Sequence, residues 1–113
     1  MKISFQTRKF QNAANSESLG KREWGPQRAS KVRQRLAELT AANTLADMST
    51  LPPPRCHQLH ADLDEQFAVD ISHNERLVFR VDHRPLPRRP DKGIDLAQVT
   101  AIVVLRIEDY HGH

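Results

Sequence analysis

The C-terminal stretch VTAIVVLRIEDYHGH, residues 99–113, decides the fold predicted for this chain. Up to Leu105 nearly every side chain is apolar or small, as is typical of a strand buried on both faces of a sheet. The polarity then changes abruptly, and Asp109, Tyr110 and His111 place an acid, a phenol and an imidazole at the end of the strand. Because a core strand is rigid, groups at its end can be held in fixed positions, which predicts a chemical site there.

The length and charge of the chain limit its class. Its 113 residues are enough for one core, and we predict one domain over residues 1–113. A charged fraction of 27% is polar for a globular protein without being that of a disordered one. Residues 1–60 carry ten basic against four acidic side chains. Such a field attracts polyanions, nucleic acid being the commonest, although a solvated helical face is the alternative interpretation.

The single cysteine, Cys56, excludes an intramolecular disulfide and fits a reducing compartment. His57 lies beside it, but no second cysteine follows to complete a closely spaced ligand set, so we expect neither a metal nor a cofactor. The start of the chain, MKISFQTRKF, has no long apolar segment, and no apolar run reaches membrane-spanning length. We therefore expect a cytoplasmic protein without a membrane partner.

The first half of the chain has a helical pattern. The segment KISF is a short strand candidate, and a weak, interrupted apolar stripe follows it. Pro26 is favourable just inside a helix start, and Ala29, Val32, Leu36 and Leu39 then recur at helical spacing. Three consecutive prolines at 52–54 cannot continue a helix, because each lacks a donor and restricts its predecessor. The helical half therefore ends before them.

The second half has the pattern of a sheet. Residues 55–60 are a possible short strand, and Phe67, Val69 and Ile71 alternate with more polar side chains. A turn at 73–75 and a return strand over 76–81 predict a hairpin, and the broken segment 83–96 predicts an exposed loop. We predict an α+β domain with two N-terminal helices packed on a curved, mostly antiparallel sheet of four to five strands.

Polar side chains in the sheet half provide what RNA cleavage needs. A base must draw the proton from a 2′-hydroxyl, an acid must protonate the departing 5′-oxygen, and cations must hold the phosphate charge. Each residue also has a structural interpretation: His57 could bond a carbonyl, and Arg80 could pair with Asp70. Arg106, Glu108 and His113 are assigned to the surface. The candidates are His57 and His60, Arg76 and Arg80, and Asp109, Tyr110 and His111.

Three motifs occur in the order found in a known family. LADMSTLPPPRCHQL, FAVDISHNERLVF and VTAIVVLRIEDYH resemble the HigB group of the RelE/ParE toxin superfamily, including its GraT-like members. The resemblance implies a RelE-like fold and a bacterial toxin of a type II toxin–antitoxin module that cleaves mRNA on the ribosome without a metal. It also implies a HigA-type helix-turn-helix antitoxin, with operator DNA bound only through the complex of the two proteins.

The resemblance also assigns residues. His57 matches the family's active-site histidine, Arg76 matches the arginine after the hairpin turn, and the terminal motif matches at Asp109, Tyr110 and His111. The chain departs from the family at His60, Ala61 and Asp70, where many relatives have Lys, Gly and a basic residue. These departures affect the expected grip on substrate more than the chemistry.

The basic helical half acquires a specific role under this resemblance. We expect docking on ribosomal RNA through Lys21, Arg22, Arg28, Lys31 and Arg35, with His60 and Arg80 as further RNA contacts. Two other functions remain open. One is a ParE-like gyrase inhibitor, which does not need the set of acid–base residues. The other is a catalytically idle nucleic-acid-binding partner of an antitoxin, for which the basic face suffices.

Overall fold

A computed structural model describes residues 1–59 and 65–109 of the chain. The predictions that concern His60, Ala61, Tyr110, His111 and His113 therefore lie outside the described residues. The described elements are three helices, α1 (Arg8–Asn15), α2 (Glu17–Trp24) and α3 (Pro26–Ala41), and five strands, β1 (Lys2–Phe5), β2 (His57–Gln58), β3 (Gln66–Asp70), β4 (Glu75–Val81) and β5 (Ala101–Asp109). Single-turn 3₁₀ helices occur at Leu45–Asp47 and Leu96–Gln98.

The strands form one sheet in the order β1-β5-β4-β3-β2. β5 pairs with β1 in parallel, whereas the other three pairings are antiparallel. The predicted α+β class, the hairpin of β3 and β4 and the start of α3 at Pro26 are confirmed. The sheet is mixed because β1, at one edge, runs in the same direction as its neighbour.

The number of helices differs from the prediction of two. The weakly patterned segment before α3 forms both α1 and α2, separated at Ser16. The hydroxyl of Ser16 accepts a hydrogen bond from the backbone of Leu19 at 3.2 Å, and that of Thr7 accepts one from Phe10 at 3.1 Å. These side chains satisfy amide groups that the first turn of a helix leaves unpaired, so each caps a separate helix.

Two glycines allow the three helices to pack closely. Gly25 joins α2 to α3 with a φ of 80°, a conformation that side chains with a Cβ rarely adopt. Gly20 lies inside α2, and a Cβ there would lie 2.8 Å from the Ala13 carbonyl oxygen. The glycine therefore permits α1 and α2 to contact each other.

The sheet has two differently covered faces. On the helix face, residues of the sheet such as Phe67, Phe79 and Val104 pack in one core with Val32 and Leu39 of α3. The opposite face, called the far face here, carries a second and smaller buried cluster. Its five members are Leu59, Ala68, Val78, Val103 and Leu105.

A β-bulge between Val78 and Phe79 separates two registers of the β4–β5 pair. Phe79 lies opposite Val104, but Val78 lies opposite Arg106, so Leu105 is an extra residue in β5. An extra residue reverses which face the following side chains occupy. Beyond the bulge, Arg106 and Glu108 are therefore on the far face. Within the described residues, no helix is long and apolar enough to cross a membrane.

Substitution of Phe79 tests the core of the helix face. Its side chain is fully buried, and its ring centroid lies 6.0 Å from that of Phe67. Phe79→Ala should lower the free energy of unfolding by about 3–5 kcal/mol, because it removes buried contacts and leaves a cavity. Urea unfolding measures this. Leu51→Ala, at a side chain 70% exposed, is the control and should change stability by less than about 0.5 kcal/mol. Equal effects would contradict this description of the core.

Candidate active site

Strand register brings several of the predicted site residues to the far face. His57 of β2 lies opposite Ala68, which lies opposite Val78, which lies opposite Arg106. The neighbouring row across the sheet consists of Asp70, Arg76 and Glu108. Strands two positions apart are separated by about 10 Å, so long side chains from β2 and β4 can approach one small group from two sides.

His57 is held in one orientation by the backbone. Its Nδ1 lies 2.8 Å from the carbonyl oxygen of Arg55, and the side chain is half-buried. A carbonyl can only accept a hydrogen bond, so Nδ1 carries the proton and Nε2 of the neutral ring is free of one. The carbonyl bond expected from sequence as an alternative to function is therefore present. It also leaves Nε2 able to take a proton from a substrate hydroxyl.

A chain of hydrogen bonds behind His57 fixes that carbonyl. The guanidinium of Arg55 donates to both carboxylate oxygens of Asp70, from Nε at 2.8 Å and from Nη2 at 3.0 Å. Asp70 is anchored in turn, because its backbone oxygen accepts from Arg35 Nε at 2.6 Å and its amide donates to Pro54 at 2.8 Å. Asp70, a departure from the resembled family, thus holds Arg55 in place.

Arg76 belongs to a second polar group on the far face. Its Nε and Nη2 donate to Oε1 of Glu108, at 3.2 and 2.5 Å. Arg106 donates to the other carboxylate oxygen of Glu108, from Nε at 3.2 Å and from Nη2 at 3.0 Å. Partial burial raises the pKa of Glu108, but the hydrogen bonds and charges of Arg76 and Arg106 outweigh that effect, so its pKa lies below the ordinary value. The carboxylate therefore stays ionised at neutral pH.

Arg80 also lies on the far face, opposite Gln66 and Val103. Its Nη1 is 3.9 Å from Oδ1 of Asp82, and the side chain is 38% exposed. The pairing with Asp70 considered from sequence does not occur, since Asp70 is bound to Arg55. Arg80 therefore lies on the same face as the arginines of the second polar group, and its Nη1 also donates to the Val81 carbonyl oxygen at 3.4 Å.

Asp109 is placed differently from the other candidates. It lies opposite Glu75 in the register, and Glu75 is paired with Arg28 of α3, so both acids belong to the helix side of the sheet. At this register position Asp109 is on the opposite face of the sheet from His57 and Arg76. Its neighbours Tyr110 and His111, and also His60, lie outside the described residues.

The predicted RNA-docking cations fall into three groups. Arg22 and Lys31 are exposed, on α2 and α3. Lys21 and Arg28 are also exposed but are paired, Lys21 with Glu17 at 3.1 Å and Arg28 with Glu75 at 2.9 Å. Arg35 is only 3% exposed. Buried in this way, Arg35 cannot reach RNA, and its place in the predicted docking set is corrected.

Two other features of the described residues carry no chemistry of this kind. Burial raises the pKa of the Cys56 thiol to about 12, so it stays protonated and is a poor nucleophile. A cleft of about 980 Å³ opens on the helix side, between Trp24, Lys31 and Ile71, and in it Glu75 is paired with Arg28. No group of three potential metal ligands occurs among residues 1–59 and 65–109.

Sequence reasoning missed Arg106 and Glu108, which were assigned to the surface. The missing information was the bulge, because simple alternation from Val103 puts Ile107 and Asp109 on the far face. A weak signal was available in the sequence. Arg106 and Glu108 are two residues apart, so they share one face of a strand, and an acid such as Glu108 is a favourable cross-strand partner for an arginine such as Arg76.

No protein-family model and no curated protein sequence matches this chain, whereas solved structures do. One is a YoeB/ParE toxin from Agrobacterium tumefaciens, at 10% identity and a TM-score of 0.58, covering 98% of this chain and 100% of that one. Another is the YoeB–YefM complex from Staphylococcus aureus, at 15% identity and a TM-score of 0.56, covering 98% and 97%. The chain therefore has the fold of YoeB/ParE toxins, which confirms the predicted fold class.

Arg35 tests the support behind His57. In Arg35→Ala, the carbonyl oxygens of Asp70 and Pro53, which now accept from Nε at 2.6 Å and Nη2 at 3.1 Å, lose their buried donor. The free energy of unfolding should fall by about 3 kcal/mol in urea unfolding. Arg22→Ala removes the same group from an exposed position and should cost less than about 0.5 kcal/mol. If both variants were equally stable, Arg35 would not be the anchor described above.

Proposed function

We propose that this protein is the toxin of a type II toxin–antitoxin module and acts as a ribosome-dependent mRNA endoribonuclease that inhibits translation. The observation that carries the proposal is the contact between Nδ1 of His57 and a backbone carbonyl oxygen, which in the neutral ring leaves Nε2 able to accept a proton on the same sheet face as Arg76. The YoeB/ParE fold supports it independently. The acid–base pattern favours this activity over a ParE-like gyrase inhibitor, which has no need of it.

The proposed reaction is an intramolecular transesterification, in which the 2′-oxygen of the RNA replaces the 5′-oxygen on the adjacent phosphorus. Nε2 of His57 takes the proton of the 2′-hydroxyl, and the 2′-oxygen bonds to the adjacent phosphorus. The bond to the 5′-oxygen breaks, and that oxygen receives a proton from an acid supplied by Tyr110 or His111. Arg76 stabilises the phosphate charge with a guanidinium fork. The products are a 2′,3′-cyclic phosphate and a 5′-hydroxyl, and no metal or cofactor takes part.

The proposed partners follow from the same function. The toxin would act in the cytoplasm on mRNA held by the ribosome, and an antitoxin would keep it inactive. A structure with this fold was solved as the YoeB–YefM complex, which supports an antitoxin partner for this chain as well. We further propose that the antitoxin is of the HigA type, with a helix-turn-helix, and that operator DNA is bound only through the complex.

Mapping of mRNA ends in a translating extract tests the activity. Wild-type protein should produce new 5′-hydroxyl ends linked to codons. His57→Ala should lower the cleavage rate by about 10²–10⁴-fold, because the base is lost, and His111→Ala should also lower it. His73→Ala is the matched control, since it removes an exposed imidazole from the β3–β4 turn, and it should cleave like wild type.

Three results would contradict the proposal. Undiminished cleavage by His57→Ala would exclude His57 as the base. Intact mRNA together with blocked DNA supercoiling would identify a gyrase inhibitor instead. Growth that is unaffected by the wild-type protein in the absence of antitoxin would leave only a nucleic-acid-binding partner.

The exposed cations of α2 and α3 should contribute to ribosome binding. In the double variant Arg22→Gln, Lys31→Gln, two phosphate contacts are lost, so the slope of log affinity against log salt should become shallower by about 0.7–0.9 per contact. Cosedimentation with ribosomes at increasing KCl measures it. The matched control, Arg84→Gln, Lys92→Gln, removes the same charge from an exposed loop and should keep the wild-type slope. The same change of slope in both double variants would contradict a specific docking surface.

A further inference from the structure

The polar group of Arg76, Glu108 and Arg106 has the composition of a phosphate-binding site with an internal support. Both guanidiniums approach the same carboxylate, Arg76 at Oε1 and Arg106 at Oε2, and each uses its Nε–Nη2 edge. The three side chains are 16%, 38% and 25% exposed for Arg76, Arg106 and Glu108. They come from two paired strands, so the backbone as well as the carboxylate limits their movement.

The donors of Arg106 are only partly used. A guanidinium has five N–H donors. In Arg106, Nε and Nη2 donate to Glu108, and Nη2 also donates to Gln66 at 3.2 Å. With partners drawn from the described residues, Nη1 of Arg106 makes no hydrogen bond. This leaves donors for an outside acceptor while the other edge of the group is held.

The charge of the group selects the kind of acceptor. The two guanidiniums and one carboxylate together carry a net charge of +1, which is opposite in sign to that of a phosphodiester. Displacement of Glu108 by phosphate is unfavourable, because Glu108 would lose four charge-assisted hydrogen bonds and remain beside another anion. The carboxylate therefore supports the arginines rather than occupying the substrate's place.

We propose that Arg76 and Arg106 form a two-arginine clamp for a single RNA phosphodiester, and that Glu108 is a positioning residue that orients both arginines. This inference rests on the proposed function, because it names the substrate group that the far face receives. Arg106 contacts the phosphate, whereas Glu108 acts only through the two arginines. Fixed guanidiniums stabilise the transition state without reorganising during the reaction.

The clamp is tested first by binding, without cleavage. The probe is a single-stranded RNA with 2′-deoxy substitutions, which removes the attacking hydroxyl. In NMR spectra of arginine-labelled protein, this RNA should shift the Nε–H signals of Arg76 and Arg106 but not that of Arg89, which is paired with Asp91 in the exposed loop. Arg106→Gln should weaken binding about tenfold and make the salt slope shallower by about 0.7, the value for one single-strand phosphate. Arg89→Gln should do neither.

Glu108→Gln then separates positioning from simple charge. Removing an acid from a polyanion site should leave RNA binding as tight as wild type or tighter. If Glu108 positions the arginines, kcat should nevertheless fall about tenfold or more, because the forks are no longer aligned in the transition state. Asp91→Asn is the matched control and should leave kcat unchanged. The thermal unfolding midpoint of each variant verifies that it is folded at the assay temperature.

A double-mutant cycle verifies that Glu108 acts through the arginines. In an Arg76→Lys, Arg106→Lys background neither fork exists, so Glu108→Gln should lower kcat no further. An equal loss of kcat in that background would overturn the positioning role, as would a Glu108→Gln variant with wild-type or higher kcat. The absence of an Arg106 signal shift with bound RNA would overturn the clamp.

The outcomes distinguish this inference from the proposed function. If the wild type cleaves mRNA but Glu108→Gln cleaves like its control and Arg106 does not respond to RNA, the clamp is wrong and the ribonuclease function stands. If the wild type cleaves nothing but RNA shifts the signals of Arg76 and Arg106, and Arg106→Gln weakens RNA binding, the clamp stands and the cleavage function is wrong.

Discussion

The position of β5 between β1 and β4 is the constraint on which the rest of the structure depends. Both edges of this strand are paired, and both faces are buried as far as Leu105, with Val104 in the helix-face core and Val103 in the far-face cluster. A strand confined on four sides has one register, because a slip of one residue would exchange its faces. Each polar side chain that follows in β5 therefore has a defined face of the sheet and a defined cross-strand neighbour.

The bulge at Leu105 converts this constraint into a site. It transfers Arg106 and Glu108 to the far face and returns Ile107 to the helix-face core. The polar ends of β4 and β5 then meet on the face that the helices leave uncovered. Bulges that redirect side chains are a recognised means of placing functional groups beside regular strands. If the same sequence paired without a bulge, with Leu105 opposite Val78, Arg76 would lie opposite Ile107 rather than an acid.

At the β2 end of the far face, a series of polar contacts, rather than a bulge, positions His57. Arg35 of α3 donates to the backbone carbonyl oxygen of Asp70. The Asp70 carboxylate accepts from the Arg55 guanidinium, and the Arg55 carbonyl oxygen orients the His57 ring. Each link is a charge-assisted bond or a bond to a backbone group, so the imidazole is supported from the helix core outward. The basic residue that looked from sequence like an RNA contact is instead part of this support.

The sequence by itself determined the α+β class, the amphipathic α3 from Pro26, the β3–β4 hairpin and the buried character of β5. These features depend on local periodicity and on proline and turn residues, which a single chain displays directly. It also predicted His57 and Arg76 as site residues, through motifs that resemble a toxin family, and the structure places both on the far face. The tertiary structure alone decided the division into α1 and α2, the burial of Arg35, the placing of Asp109 away from Arg76, and the joining of Arg106 and Glu108 to the site. Those outcomes depend on capping at one serine, on long-range hydrogen bonds and on one extra residue in β5, none of which alters the periodic pattern of the sequence.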